Sequence, residues 1–288
     1  MAKKSAKLKQ FFLIALALIT ATIWAIYFSQ PDEKLNIYFF DVGQGDSILI
    51  QKDSWQILVD GGPDDIVIEK ISTVMPIDDR KIEEIIITHP HADHIFGLNE
   101  IIKRYEIGKI VLTNIEYDSE TYKNVLTTIN ERKIKTTTPS VGEVEYVFDR
   151  GKIIYLWPGK EVSKFESNLN NSSIVFRFDY SNFNCIFSGD AEIESWIEIF
   201  KDQKKYLENI VAIKIPHHGS RTGLNENMTD ILNPDIAVIS LGLNNKFGFP
   251  HQEILDNLEK TGTKVYRTDQ EKTVNIKTNG ESWEIKTP

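Results

Sequence analysis

The chain has 288 residues, of which 41% are hydrophobic and 26% charged, and a formal net charge of −9. This composition suits one large folded domain or two small ones, without low-complexity segments or internal repeats. The acidic balance excludes tight non-specific nucleic-acid binding through a broad basic surface, although a local active site can still handle a phosphodiester.

Residues 1–10, MAKKSAKLKQ, carry four lysines and no acid. The run FFLIALALITATIWAIYFS, 11–29, then has no charge, and QPDEK stops it. As a helix it spans roughly 28 Å, close to the hydrocarbon thickness of a bilayer. Trp24 and Tyr27 lie toward its far end, where interfacial aromatics are expected. The expectation is a single-pass cell-membrane protein with a cytoplasmic basic tail (1–10), a transmembrane anchor (11–29) and an extracellular domain (32–288). Cleavage of the same segment would instead release a secreted protein.

Beyond the anchor, LNIYFFD (35–41) and SILIQ (47–51) read as strands joined by the glycine turn VGQGD. QILVD (56–60) is a third strand, stopped by Gly61 and Gly62, and an apolar run over about 83–88 is a fourth. HIFGLNEIIKRY reads as a helix, KIVLT as a strand, SETYKNVLTTINER as a helix and IKTTT as a strand. Later, SSIVFRFDY and FNCIFSG are adjacent strands, and AEIESWIEIFKD is a helix opened by Asp190. NIVAIKIP, DIAVISLG, TKVYRT, TVNIKT and SWEIKT are strands, and TGLNENMTDIL and HQEILDNLEKTG are helices. The single cysteine, Cys185, falls in an apolar strand and is read as a core residue. Lys201, Lys204 and Lys205 form a solvated helix face rather than a phosphate track.

Three of the six histidines fall in ITHPHADHIFGL (87–98), as His89, His91 and His94, with Asp93 among them. A divalent cation needs several N or O donors converging on one point, and residues at i and i+2 of an extended segment face the same side. His89 and His91 therefore suit one metal, and Asp93 and His94, where the chain turns into a helix, a second. Asp190 ends an apolar strand in IFSGDA, where it can bridge two ions or cap the helix that follows. His217 and His218 end another strand in IKIPHHGS. His251, in FGFPHQE, stands at a helix start.

FFDVGQGDSILI, LVDGG, THPHADHIFGL, SGDA, KIPHHGS and FGFPH together resemble the metallo-β-lactamase fold superfamily, and more narrowly the extracellular hydrolase domain of ComEC-type DNA-uptake proteins. The resemblance implies an α/β fold, an αβ/βα sandwich of two mixed β-sheets with outer helices, here preceded by one N-terminal transmembrane helix. It implies two divalent metal ions, zinc or manganese. His89 and His91 would bind the first, Asp93, His94 and His217 the second, and Asp190 would bridge them. The adjacent pair leaves open whether His217 or His218 is the ligand and which one contacts substrate. Asp60 would be a carboxylate behind the ligands.

The resemblance also implies a metal-dependent phosphodiesterase or nuclease in which a metal-bridging hydroxide attacks phosphorus. Asp93 would take part in catalysis, His218 or His251 would protonate the leaving oxygen, and Ser220 and Arg221 would contact the substrate. That substrate would be a phosphodiester such as DNA or a cell-envelope polymer. In one departure from the wider superfamily, no histidine lies between His94 and His217; NLNNSSIVFRF stands there, and Asn171 is expected near the first metal. An amide oxygen is a harder, weaker donor than imidazole, which would either lower affinity at the first site or shift its preference from zinc towards manganese. Alternatives on the same fold are a choline-phosphate esterase, a lactonase, a β-lactamase or a non-catalytic metal-binding module. For the topology, protease added to intact cells is expected to remove the domain; full protection would overturn it.

Overall fold

The computed structural model describes residues 2–28, 34–158 and 167–288, with side chains of the first helix described from Lys9 to Trp24. The chain divides into Met1–Glu33 and Lys34–Pro288. The first unit is helix α1 (Ala2–Phe28), whose described apolar side chains, among them Phe11, Leu13 and Trp24, are exposed. Among the described residues, no helix is long and apolar enough to cross a membrane. The expected transmembrane helix over 11–29 is therefore unsupported. Residue 29, the side chains of 25–28 (including Tyr27) and most of the QPDEK stop lie outside the described residues.

The second unit begins with β1 (Leu35–Phe39), β2 (Ile48–Lys52), β3 (Trp55–Val59), α2 (Ile66–Val74) and β4 (Lys81–Ile86). It continues through α3 (Ala92–Ile95), α4 (Leu98–Arg104), β5 (Glu106–Val111), α5 (Glu120–Glu131) and β6 (Thr136–Thr137). Next come β7 (Val144–Phe148), β8 (Gly151–Trp157), β9 (Val175–Tyr180), β10 (Phe183–Phe187), α6 (Ile193–Asp202) and β11 (Ala212–Lys214). The chain closes with α7 (Glu226–Leu232), β12 (Ile236–Ile239), α8 (Gln252–Lys260), β13 (Lys264–Arg267), α9 (Thr268–Glu271), β14 (Val274–Thr278) and β15 (Trp283–Lys286).

The strands form two mixed sheets, ordered β15-β14-β1-β2-β3-β4-β5-β6 and β13-β12-β11-β10-β9-β8-β7. Period-two alternation explains how they stack. Leu35, Ile37 and Phe39 of β1 meet Phe176, Phe178 and Tyr180 of β9 in one buried layer between the sheets. The opposite face of the first sheet packs Leu49, Leu58 and Ile85 against Val67, Ile71, Leu98, Ile101 and Val125 of the helices. The opposite face of the second packs Ile186, Ile213 and Ala237 against Trp196, Ile199, Met228 and Leu258. Four layers result, helix, sheet, sheet, helix, as the resemblance implies.

Several expectations shift. The hairpin β7–β8 and helix α2 fall where no element is expected, and the helix expected over 222–232 is confined to α7. Asp190 does not open α6, because the residue before the helix is Glu192.

The sheets also share a polar contact. Glu84 of β4 is buried; it accepts a hydrogen bond from the Tyr155 hydroxyl at 3.3 Å and faces the Lys109 ammonium at 3.3 Å. Burial, reinforced by Glu145, pushes its carboxyl up from the ordinary 4.5 to about 7. The folded state thus keeps a proton that the unfolded chain has released, so stability falls as pH rises from about 4.5 through 7. Glu84→Gln is expected to flatten that slope in urea unfolding and to stabilise the protein at pH 8 by about 1–3 kcal/mol. An unchanged slope would show that the group does not titrate there.

Candidate metal centre

The polar residues of the centre follow the carboxyl ends of strands from both sheets. Asp60 comes directly after β3, and Thr88, His89 and His91 come just after β4. Asp190 follows β10, Lys214 is the last residue of β11, and His218 lies four residues beyond it. In open α/β sheets this is where ligands bind, because the loops there are free to vary while the strands hold their bases rigid. Consecutive residues His217 and His218 have φ of 49° and 53°, and Asp60 has φ of 59°. Such left-handed backbone costs non-glycine residues about 1 kcal/mol or more and persists only where the surroundings enforce it. At His217–His218 it sends one ring inward and the other outward.

Asp93, His94, Asp190 and His218 converge, each offering a ligand atom within 4.8 Å of the others. His94 Nε2 and His218 Nε2 both lie 3.4 Å from Asp190 Oδ2. Asp93 Oδ2 is 3.8 Å from His94 Nε2 and 3.5 Å from His218 Nε2. On the adjoining side, His89 Nε2 is 3.0 Å from His91 Nδ1 and 4.0 Å from Asp190 Oδ2. His94 Nε2 and His218 Nε2 are buried without hydrogen-bond partners. Buried nitrogens are rarely left unpaired, and two aimed at one carboxylate oxygen fit a divalent cation.

The backs of these rings are held. His94 Nδ1 meets Asp60 Oδ2 at 2.8 Å, and His218 Nδ1 donates to the Ser240 carbonyl at 2.8 Å. Asp60 also accepts from the Thr88 backbone N–H at 2.8 Å and its hydroxyl at 2.6 Å. These contacts turn both Nε2 atoms into the cluster.

The electrostatics are those of a cation site. Burial raises the Asp190 carboxyl, but His218, His94 and Lys214 outweigh it and hold the group well below the usual carboxylate range. Asp93 is likewise held low, mainly by His94 and His218 against its burial. Burial disfavours charge on His94, yet Asp190, Asp93 and Asp60 keep it well above its ordinary value, and similar contacts raise His218 to about 9. His89 and His91 move the other way, through burial and then the neighbouring His94, which favours the neutral imidazole.

His217 is placed otherwise than expected. Its Nδ1 lies 3.0 Å from Glu192 Oε1 and 3.2 Å from the Thr222 hydroxyl, so His218 takes the inward position assigned to His217. Asn171 directs its amide elsewhere. Its Oδ1 accepts from Ser195 Oγ at 2.6 Å and the Glu192 N–H at 3.0 Å, and its Nδ2 donates to Glu194 at 3.2 Å. Both ends of that amide are committed to the base of α6. Its neighbour Asn170 instead has a buried Oδ1 without a partner and an Nδ2 3.5 Å from His217.

His251 is outside the converging group. It lies in edge contact with Phe249, and its Nδ1 accepts the Arg221 backbone N–H at 3.0 Å. Partial burial and the Arg221 charge lower its pKa, which leaves less of it protonated at neutral pH. Ser220 Oγ is turned to Thr222 Oγ1 at 3.0 Å, within the turn, while the Arg221 side chain is exposed. Two residues come to the centre without a chemical assignment from sequence. Asp46 belongs to the glycine loop that the sequence places near the site as a shaper of the pocket, and Lys214 to an apolar strand; both are fully buried, and Lys214 lies against both Asp46 and Asp190. A lysine inside an otherwise apolar strand, NIVAIKIP, is the one sequence signal that could have flagged the second.

A family model described as the metallo-beta-lactamase superfamily matches residues 40–242, and the chain belongs to that superfamily. Fold and donor set together define a metal-dependent hydrolase of this class. Among curated proteins, the chain is 25% identical over 280 residues to ComE operon protein 3 of Bacillus subtilis, covering 89% of this chain and 35% of that protein. It is 25% identical over 232 residues to Recombination protein 2 of Haemophilus influenzae, covering 79% of this chain and 27% of that one. The chain thus spans about a third of the length of these relatives. Among solved structures, the metallo-beta-lactamase fold protein YhfI of Bacillus subtilis aligns with a TM-score of 0.56 at 13% identity, over 85% of this chain and all of that one. CmlA, a diiron beta-hydroxylase from Streptomyces venezuelae, aligns with a TM-score of 0.56 at 12% identity, over 86% of this chain and 54% of its own. These likenesses concern the fold alone.

Asp60→Asn tests how the centre is supported. An amide cannot accept from the Thr88 N–H, the Thr88 hydroxyl and His94 Nδ1 together, so the His94 tautomer is no longer fixed. Divalent-cation affinity is expected to fall about 10–100-fold, read by competition with a chromophoric chelator. Unchanged affinity would separate Asp60 from the centre.

Proposed function

We propose that this chain is a metal-dependent phosphodiesterase acting on a nucleic-acid or related phosphodiester substrate. The observation that carries this reading is the convergence of two unpartnered buried imidazole nitrogens on Asp190 Oδ2, with Asp93 closing the same cluster. His89, His91 and Asp190 would hold one cation, and Asp93, His94, His218 and Asp190 the other. Bound divalent cations supply Lewis acidity and an activated water at neutral pH.

This chain's own residues do the rest. Asp60 and the Ser240 carbonyl keep His94 and His218 in the tautomer that turns Nε2 inward. Asp93, the partly exposed member of the cluster, stands at its solvent side, where a substrate enters. His251, held neutral near Arg221, would hydrogen-bond to the leaving oxygen rather than act as a strong acid. Arg221, exposed on the same turn, would meet a phosphoryl oxygen. The name Recombination protein 2, carried by one of the relatives, supports DNA as the substrate to try first. The lysine bias ahead of residues 11–29 supports an extracytoplasmic site, where cell-envelope phosphodiesters are the second substrate to test.

Purified protein supplied with Mn²⁺ or Zn²⁺ is expected to cleave single- or double-stranded DNA and bis-p-nitrophenyl phosphate. Asp190→Ala and His91→Ala should each lower turnover about a thousandfold. Turnover of nitrocefin or a lactone with no diester cleavage would instead select another hydrolase of the fold.

A further inference from the structure

Lys214 has no solvent exposure, and strand burial at the end of β11 would be satisfied by an apolar side chain. A buried ammonium is tolerated only when paired. This one lies 2.5 Å from Asp46 Oδ2, donates to the Gly189 carbonyl at 2.8 Å and reaches Asp190 Oδ1 at 3.4 Å. The backbone of Asp46 is fixed in turn, and its second oxygen faces an imidazole. Its backbone N–H donates to the Asp93 carbonyl at 3.3 Å, and its Oδ1 lies 3.6 Å from His218 Nδ1. The preceding Gly45, at φ 145°, lies so close to that same carbonyl that a Cβ would collide with it. A line of contacts therefore runs from the glycine loop after β1, through Asp46 and Lys214, to one oxygen of Asp190.

We infer that Lys214 is a positioning residue for the Asp190 carboxylate. By holding Oδ1 it leaves Oδ2 as the oxygen that faces His89, His94 and His218, so the carboxylate is offered to the cations through one atom. Asp46 anchors the lysine for that task. The inference rests on reading the cluster as a two-cation centre. Without the lysine, Oδ1 would no longer be held and Asp190 would be free to turn, so Oδ2 would no longer be fixed toward the residues that would hold both cations.

The test is Mn²⁺ binding to the full chain, read by equilibrium titration and by the spin-coupled electron paramagnetic resonance signal of a manganese pair. Three proteins are compared: wild type, Lys214→Met/Asp46→Asn, which removes both charges so that neither is stranded, and the isosteric Asp46→Asn. Wild type is expected to bind two ions with a coupled signal. The double variant should bind the second ion about tenfold more weakly and lose the coupling, with Asp46→Asn intermediate. Should the double variant fail to fold, Asp46→Asn carries the comparison. A merely structural lysine would lower the melting temperature and leave coupling intact. Two ions bound with unchanged affinity and coupling in the variants would overturn the inference alone. A wild type that binds no manganese pair would overturn the two-cation reading, and the inference with it.

Discussion

Asp46, Asp60 and Asp190 are buried together with His89, His94, His218 and Lys214. Removing so many ionisable groups from water is unfavourable unless each is matched in charge and hydrogen bonding, and the rest of the structure reflects that demand. Each carboxylate faces an imidazole or the single lysine. Asp60 satisfies both its oxygens on Thr88 and His94. Only the inward nitrogens of His94 and His218, Asp46 Oδ1 and, nearby, Asn170 Oδ1 are left unpartnered among these groups. The pairing is thus nearly complete behind the cluster and incomplete within it, which is the arrangement a cation completes.

The two sheets make this possible because their parallel strands run the same way at the junction. β3 and β4 of one sheet, and β10, β11 and β12 of the other, are parallel neighbours, and their carboxyl ends supply Asp60, His89, Asp190, Lys214 and Ser240. The aromatic layer between the sheets, including Phe39 of β1 stacked on Phe187 of β10 with centroids 6.2 Å apart, holds these two sets of ends against each other. A shift of even an ångström there would separate His94 from Asp190, so core packing and metal chemistry are linked through the inter-sheet layer.

Much of the fold is legible in the sequence wherever apolar runs are bounded by glycine or the histidine motif. β1 to β5 and β9 to β12 are found within a few residues because their burial is strong and local. β7 and β8 are the exceptions: Val144 and Tyr146 leave one face of β7 exposed and its pattern weakly apolar, whereas β8, GKIIYLW, is a buried apolar run behind Gly151 that the same reading should have found. Asp190 shows the limit for single residues. A capping aspartate and a bridging one look alike in SGDAEIESW, and only the position of Glu192 before α6 separates them.

By itself the sequence marks most strand ends and the candidate donors in HPHADH and SGDA, since these depend on local periodicity and on residue chemistry, while the two-sheet class follows from the resemblance those motifs carry. The tertiary structure decides what depends on direction. The left-handed backbone at His217 and His218 turns the second ring inward and gives the first to Glu192. The α6 base takes both ends of the Asn171 amide, and the interior brings Asp46 and Lys214, 168 positions apart in the chain, to 2.5 Å of each other. Side-chain direction and long-range charge pairing are properties of packing, and no run of neighbouring residues encodes them.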